Sequence, residues 1–165
     1  MSNVKLSICC ILFATLLLAA SLGSAAEKLS DILSKSKWSG IIGTWVEPAT
    51  KNTTTFAWKI KNQVIEITGK EKAKESVALM GVNAKTGEVF HMGAGSDGTS
   101  LLGNWKFENE DAVLGLLFTS GDGQEGALSI RYHREDADTL TASVEFPGIA
   151  EPIARLKMIR SKSKK

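Results

Sequence analysis

The stretch TSLLGNWKFENEDAVLGLLFT, residues Thr99–Thr119, decides the fold of this chain. Two runs rich in β-forming residues flank the polar cluster ENED, residues 108–111, and this spacing is typical of antiparallel strands joined by a turn. So short a join excludes the helical crossover that connects parallel strands. The stretch therefore predicts a β-hairpin. Its second run, AVLGLLF, is apolar on both faces, which predicts a central strand covered on both sides.

The same pattern extends along most of the chain. Comparable runs are TTFAWKI (54–60), ESVALMGV (75–82), GALSIRYHR (126–134) and IARLKMIR (153–160). Strands about 8–12 residues apart, with turn clusters between them and no long helix, predict an antiparallel meander. Eight to ten strands can curl and close, and closure removes exposed strand edges. We predict an all-β, up-and-down barrel, preceded by a short helix because Leu29, Ile32 and Leu33 form one helical stripe.

The N-terminal segment, residues 1–26, has the layout of a secretory signal peptide. Lys5 supplies positive charge, Ile8–Ala20 is apolar, and Ser24 and Ala26 are small enough to precede a cleavage site. The apolar run is shorter than the ~20 residues that span a bilayer. We therefore expect an exported protein, periplasmic or extracellular, with no stable membrane insertion after cleavage.

The mature chain is expected to form one domain, residues 27–160, followed by a disordered basic tail, residues 161–165. Both cysteines, Cys9 and Cys10, lie in the predicted signal peptide, so we expect no disulfide and no thiolate metal site. Over the full sequence, basic and acidic residues nearly balance, 20 against 18, and the tail has no interleaved aromatic residues. This composition argues against a nucleic-acid partner.

Two glycine loops share the spacing G-x-G-x-x-G: GAGSDG at 93–98 and GDGQEG at 121–126. In a dinucleotide-binding turn a helix follows the glycines, whereas both loops lie between predicted strands. Both also carry carboxylates, which repel phosphate. We interpret them as hairpin turns, and we expect GAGSDG to lie on the barrel rim as a candidate flap. The same loop resembles a nucleophile elbow around Ser96, but the required helix is missing and no histidine is tied to the serine, so a hydrolase is poorly supported.

A polar hairpin face is a second candidate site. It consists of Arg131, His133, Thr139, Thr141, Ser143 and Glu145. Inside a barrel this face would line a ligand site, or an enzyme site with His133 as base assisted by Arg131 or Glu145. Outside it would be solvated surface, the default for an antiparallel sheet. We expect His91 to be a half-exposed strand residue, and the two histidines do not predict a metal site. Asn52 begins a glycosylation sequon, which matters only in a eukaryotic source.

The segment GIIGTW, residues 40–45, lies where the short helix gives way to the first strand. It resembles the lipocalin and wider calycin signature. The resemblance implies that Trp45 packs across the closed end of a barrel and that Arg155 or Arg160 stacks on it in a cation–π contact. The whole mature chain is similar to small secreted bacterial proteins of a domain family of unknown function. The later glycines of heme-binding nitrobindin-like barrels are absent, as is a histidine in the last strand, so heme is not expected.

These observations favour a secreted binding module for a small apolar ligand, with no cofactor. Its expected lining is Phe56, Trp58, Leu79, Phe90, Met92, Trp105, Leu116 and Phe118. A barrel of about eight strands either holds one small ligand or is filled by its own side chains. A filled barrel would be a structural or protein-interaction domain, and an exterior apolar patch would favour that alternative. An enzyme that uses the polar hairpin is the third and least favoured class.

Overall fold

The computed structural model describes residues 27–162. The predicted signal peptide, with both cysteines, and tail residues 163–165 lie outside the described residues. Helix α1 spans Leu29–Lys35, and a single 3-10 turn follows at Ser39–Ile41. In the described range, no helix has the length and apolar character needed to cross a membrane.

Within residues 27–162, ten antiparallel strands form a closed barrel. They are β1 Gly43–Val46, β2 Thr53–Ile60, β3 Val64–Glu71, β4 Lys74–Val82, β5 Val89–Gly95, β6 Ser100–Glu108, β7 Asp111–Thr119, β8 Glu125–Arg134, β9 Thr139–Glu145 and β10 Ala154–Arg160. Each strand pairs with the next along the chain, and β1 pairs with β10, where Trp45 lies opposite Arg160. The predicted up-and-down barrel is confirmed.

The hairpin predicted from Thr99–Thr119 is confirmed as β6 and β7. Their pairing runs without a break from Ser100 opposite Thr119 to Glu108 opposite Asp111. The turn between them takes Asn109 to a φ of 53°, a conformation that asparagine tolerates better than most residues. The expectation that β7 is covered on both sides is wrong, because Leu117 on its outer face is 66% exposed.

Helix α1 and the 3-10 turn cover one end of the barrel, the capped end. The Ser30 amide donates to the Asn62 carbonyl in the β2–β3 turn at 3.2 Å. Trp38 Nε1 donates to the Asn109 carbonyl in the β6–β7 turn, also at 3.2 Å. Because consecutive hairpins alternate between the two ends, the β5–β6 and β7–β8 loops lie at the opposite, open end.

The contacts of Arg160 in the last strand with Trp45 and the carbonyl groups near the first strand fix the capped end, and we call them the latch. The Arg160 guanidinium carbon lies 4.3 Å from the centre of the Trp45 ring, a cation–π contact. Arg160 also donates to the Ile42 carbonyl at 2.9 Å and to the Gly40 carbonyl. Gly43 has a φ of 135°, and a Cβ there would lie 2.7 Å from an Arg160 nitrogen. The glycine before Thr44 and Trp45 therefore makes room for the arginine.

The half of the barrel nearest the cap is filled. An aromatic cluster occupies it, with Trp105 stacked on Phe107 at 6.0 Å and edge-on to Phe56 at 6.5 Å between ring centres. Ile65 and Met80 are fully buried beside this cluster. Burial of these large side chains supplies the core on which a chain with no described disulfide depends.

Candidate functional site

The half of the barrel nearest the open end contains a cavity of about 390 Å³. Its floor and walls are formed mainly by apolar side chains: Leu101, Ile130, Tyr132, Ala142, Val144, Leu156 and Met158. Its mouth is formed by polar and charged ones: Glu47, Asn52, Thr53, Thr54, Lys70, Glu71, Lys74, Glu75, Ser76, Asp97 and Thr99. The volume falls within the range of about 300–1,000 Å³ that is usual for ligand pockets.

Small residues on one wall create this space. Gly69, Ser76 and Gly95 lie side by side in one row across β3, β4 and β5, and all three line the cavity. On the opposite wall Ala142 separates Tyr132 from Leu156 in a row across β8, β9 and β10. Larger residues in these rows would fill the interior, as Trp105 and Phe56 do nearer the cap. The cavity therefore follows from which residues the strand register brings together.

Tyr132 connects the cavity to the filled core. It lines the cavity, and its ring lies 5.5 Å from Trp105 and 6.5 Å from Phe56, measured between ring centres. Burial raises the pKa of the Tyr132 phenol to about 12. The hydroxyl is thus neutral near pH 7, and it can donate or accept a hydrogen bond.

Asn52 gives the mouth of the cavity an acceptor. The side-chain carbonyl oxygen Oδ1 is buried and has no hydrogen-bond partner within residues 27–162. Asn52 also lines the cavity. A buried polar atom without a partner is costly unless a water or a ligand satisfies it.

The GAGSDG loop lies on the rim, and its first glycines belong to a strand. Strand β5 continues to Gly95, so only Ser96–Thr99 form the turn. Asp97 accepts hydrogen bonds from Lys74 at 3.0 Å and from the Thr99 amide at 3.2 Å, and these hold the pKa of its carboxyl down to about 2. The turn is thus held by its own carboxylate, and no helix follows it to bind a phosphate.

The two glycine loops contact each other at the rim. A Cβ on Gly121 would lie 2.0 Å from the Asp97 carbonyl oxygen, and one on Gly98 would lie 3.2 Å from the Gly121 Cα. The Ser96 hydroxyl accepts a hydrogen bond from the Glu75 amide at 3.0 Å. Neither histidine belongs to this loop pair, so the structure does not assemble a nucleophile around Ser96.

The polar hairpin face lies on the outside of the barrel. His133 Nδ1 is 2.7 Å from one oxygen of Asp111, and Arg131 donates to the other at 2.9 Å. Arg131 also reaches Glu145 at 3.4 Å. Although partial burial opposes it, hydrogen bonds from His133 and Arg131 keep the pKa of Asp111 below its ordinary value. The His133 side chain is 49% exposed. The enclosed enzyme site that this face would form inside a barrel is therefore not present.

Asp111 was missed by the sequence analysis. It faces His133 across β7 and β8, and the two residues are far apart in the sequence. Only the strand register, which places the first residue of β7 opposite a residue near the end of β8, brings them together.

The expected ligand lining is only partly inside the barrel. Phe56, Trp105 and Leu116 are buried in the core, and Trp58 packs against it. Phe118 is half-buried on the inward side of β7, where its ring rests on Gly126. The list therefore describes mostly the filled half, and the cavity wall comes from other residues.

Leu79, Phe90 and Met92 lie on the outer face, which corrects their expected place in the lining. Ala78, Met80 and His91 point into the core, so their neighbours in β4 and β5 must point outward. Phe90 rests on Gly81, and Met92 is 47% exposed. One signal could have located the true wall: Leu128, Ile130 and Tyr132 alternate with the polar hairpin face already identified.

His91 is in the core, not half-exposed as expected. It is 5% exposed, its Nδ1 has no hydrogen-bond partner among the described residues, and its ring centre lies 6.0 Å from Trp105. Burial lowers the pKa of His91 to about 4. The imidazole is thus neutral at physiological pH.

The basic residues expected near Trp45 have different positions. Arg160 stacks on the Trp45 ring, whereas Arg155 lies at the other end of β10, 3.9 Å from Glu151. Trp45 Nε1 donates to the Ile41 carbonyl at 2.9 Å.

An apolar row crosses the outer face of five strands. Leu79, Met92, Leu102, Leu117 and Ala127 are consecutive partners in β4 to β8. Leu102 is 59% exposed, and with Met92 and Leu117 it borders an open groove of about 890 Å³. The row carries no charged residue.

Residues 27–162 contain no group of His, Cys, Asp and Glu side chains placed to hold a metal ion. A scan against protein-family models found no matching family, and a search of curated proteins found no match either.

Proposed function

We propose that this chain is an exported, calycin-like binding protein that holds a small, largely apolar molecule in the open half of its barrel. The observation that carries the proposal is the cavity of about 390 Å³, with an apolar floor and a polar mouth. The Trp45–Arg160 contact is the one that the calycin resemblance implies at a closed barrel end, and it leaves the opposite end as the entrance.

The floor suits an apolar ligand. Burying hydrocarbon against Ile130, Val144, Leu156 and Met158 is worth roughly 25 cal/mol per Å² of apolar surface removed from water. The Tyr132 hydroxyl adds one position at which a hydrogen bond fixes the orientation of the ligand.

The test is native mass spectrometry of the protein purified from its source, followed by titration of the emptied protein with a lipid panel. We expect a stable extra mass and a ligand-dependent change in tryptophan fluorescence. Val144→Trp, which places a large ring in the cavity, should abolish binding. Ser143→Trp is the matched control, because Ser143 is the neighbouring residue on the outer face. A protein that stays empty across the panel contradicts the proposal.

A second candidate is an interaction domain that self-associates through the outer apolar row. Monomeric proteins rarely expose contiguous apolar patches of more than a few hundred Å². A second copy is the occupant we propose, because an uncharged row can meet its own copy across a two-fold axis without like-charge repulsion.

Light scattering coupled to size-exclusion chromatography tests this candidate. We expect a dimer that Leu117→Asp dissociates and that Thr119→Asp leaves intact, since Thr119 lies on the same face at the end of β7. A wild-type protein that remains monomeric at high concentration overturns it.

A further inference from the structure

We infer that the cavity selects amphiphiles whose polar end is a cationic amine or ammonium group. The inference rests on the proposed function, because it assigns the chemistry of the ligand that the cavity would hold. The apolar tail would lie on the floor beside Tyr132, and the positive head would lie at the mouth.

The charges at the mouth do not balance. Six charged side chains line the cavity: Glu47, Lys70, Glu71, Lys74, Glu75 and Asp97. Both lysines are already engaged, Lys70 with Glu75 at 3.1 Å and Lys74 with Asp97 at 3.0 Å. These two pairs cancel, and the carboxylates of Glu47 and Glu71 remain.

Neither remaining carboxylate forms a salt bridge with a basic side chain of the described chain. Glu47 accepts a hydrogen bond from the Thr50 hydroxyl, which leaves its negative charge in place. Lys51 and Lys72 belong to the same rim loops but do not line the cavity. The charged side chains that line the cavity therefore carry a net negative charge.

The hydrogen-bonding groups at the mouth also favour a cationic head group. Within the described residues, the buried Oδ1 of Asn52 is an acceptor that lacks a donor. An ammonium group has three donors and no acceptor, so it can donate to a carboxylate at the mouth, and to this oxygen when the Asn52 side chain turns it towards the cavity. A carboxylate head would bring a further negative charge and no donor to the same place.

Three amphiphiles of equal chain length test the inference: dodecylamine, dodecanol and dodecanoic acid. The amine is charged at pH 7, because its pKa resembles that of lysine. We expect the amine to bind about tenfold more tightly than the acid at low salt, since each exposed ion pair contributes up to about fivefold. Added salt should narrow the difference.

The double variant Glu47→Gln, Glu71→Gln should bring the amine and the acid to within about threefold, and it should leave dodecanol binding unchanged. Glu108→Gln, Glu110→Gln is the matched control, because these carboxylates lie at the capped end. An acid that binds as tightly as the amine overturns the inference and leaves the proposed function standing. If none of the three amphiphiles binds, the proposed function itself fails.

Discussion

Within residues 27–162, His91 is the only polar or charged side chain in the buried core. It lies beside Trp105, whose Nε1 is likewise buried without a partner in the described chain. A neutral imidazole is tolerated in such a place, whereas an imidazolium would have to give up its hydration.

This burial predicts a loss of stability in mild acid. The pKa of His91 is lowered from 6.5 to about 4, so the unfolded chain binds more protons between these pH values. The contribution of neutral His91 to the free energy of unfolding is fully present above pH 6.5. It falls by about 3 kcal/mol as the pH drops towards 4. Urea unfolding between pH 4 and pH 7.5 measures this slope.

His91→Leu should flatten that part of the pH profile, because leucine does not titrate. His133→Gln, which removes the exposed histidine, should retain most of it. A slope that survives His91→Leu would assign the acid sensitivity to other groups.

Arg160 is the second residue whose contribution to the free energy of unfolding can be measured. It combines the contact with Trp45, several carbonyl acceptors and an ion pair with Asp138 at 3.1 Å. Arg160→Met should lower the free energy of unfolding by about 2–4 kcal/mol.

Arg155→Met supplies the control for that loss in the same strand, because the Arg155–Glu151 pair is exposed. Its effect should stay within about 0.5 kcal/mol. A loss in Arg160→Met of no more than about 0.5 kcal/mol would mean that the latch does not stabilise the barrel, and denaturant unfolding decides between these outcomes.

At the scale of elements, the rim is a pair of hairpin turns in contact. Gly121 approaches the Asp97 carbonyl so closely that a Cβ there would lie 2.0 Å from the oxygen. Gly121→Ala must push the β5–β6 and β7–β8 loops apart, at a cost of about 1–3 kcal/mol. Thermal unfolding should show the loss, and hydrogen exchange should rise in both loops.

Gly115→Ala is the matched control, because a Cβ there meets nothing within 4 Å. Unchanged exchange in the rim loops of Gly121→Ala would show that the two loops do not support each other.

The strands and hairpins could be predicted because their signals are local. The runs before and after Asn109 are rich in β-forming residues, and the polar turn between them is read directly from the sequence. Which side chains of β4 point into the barrel could not be predicted in the same way. Its residues Leu79 and Met80 are both large and apolar, so only the closure of the barrel decides which of them is buried.

At the scale of the whole molecule, the cavity depends on residues that are distant in the sequence. Gly69, Ser76 and Gly95 would have to be known to face Ala142 and Leu156 across the open end. No local pattern encodes this, because it follows from the strand register and the order of strands around the barrel. The sequence therefore leaves the choice between an empty and a filled barrel open, and the structure has a cavity in one half and a filled core in the other.

An occupied cavity predicts stabilisation by mass action. A ligand that binds only the folded barrel should raise its free energy of unfolding by about 2.7 kcal/mol at a hundred times its dissociation constant. Thermal unfolding with a ligand identified from the lipid panel measures this shift. Val144→Trp should lose it and Ser143→Trp should keep it, and a shift that persists in Val144→Trp would place the ligand outside the cavity.

The pairing of β1 with β10 has a consequence for the order of events in folding. Trp45 contacts Arg160, which lies near the end of the described chain, so this contact forms only after almost all of that chain has been synthesised. A chain that is synthesised from the N-terminus can form each hairpin in turn. Its sheet nevertheless has two unpaired edge strands until the last strand is available. Such distant pairing slows folding. Closure is therefore a late event, and until then the nascent sheet is exposed to pairing with other chains.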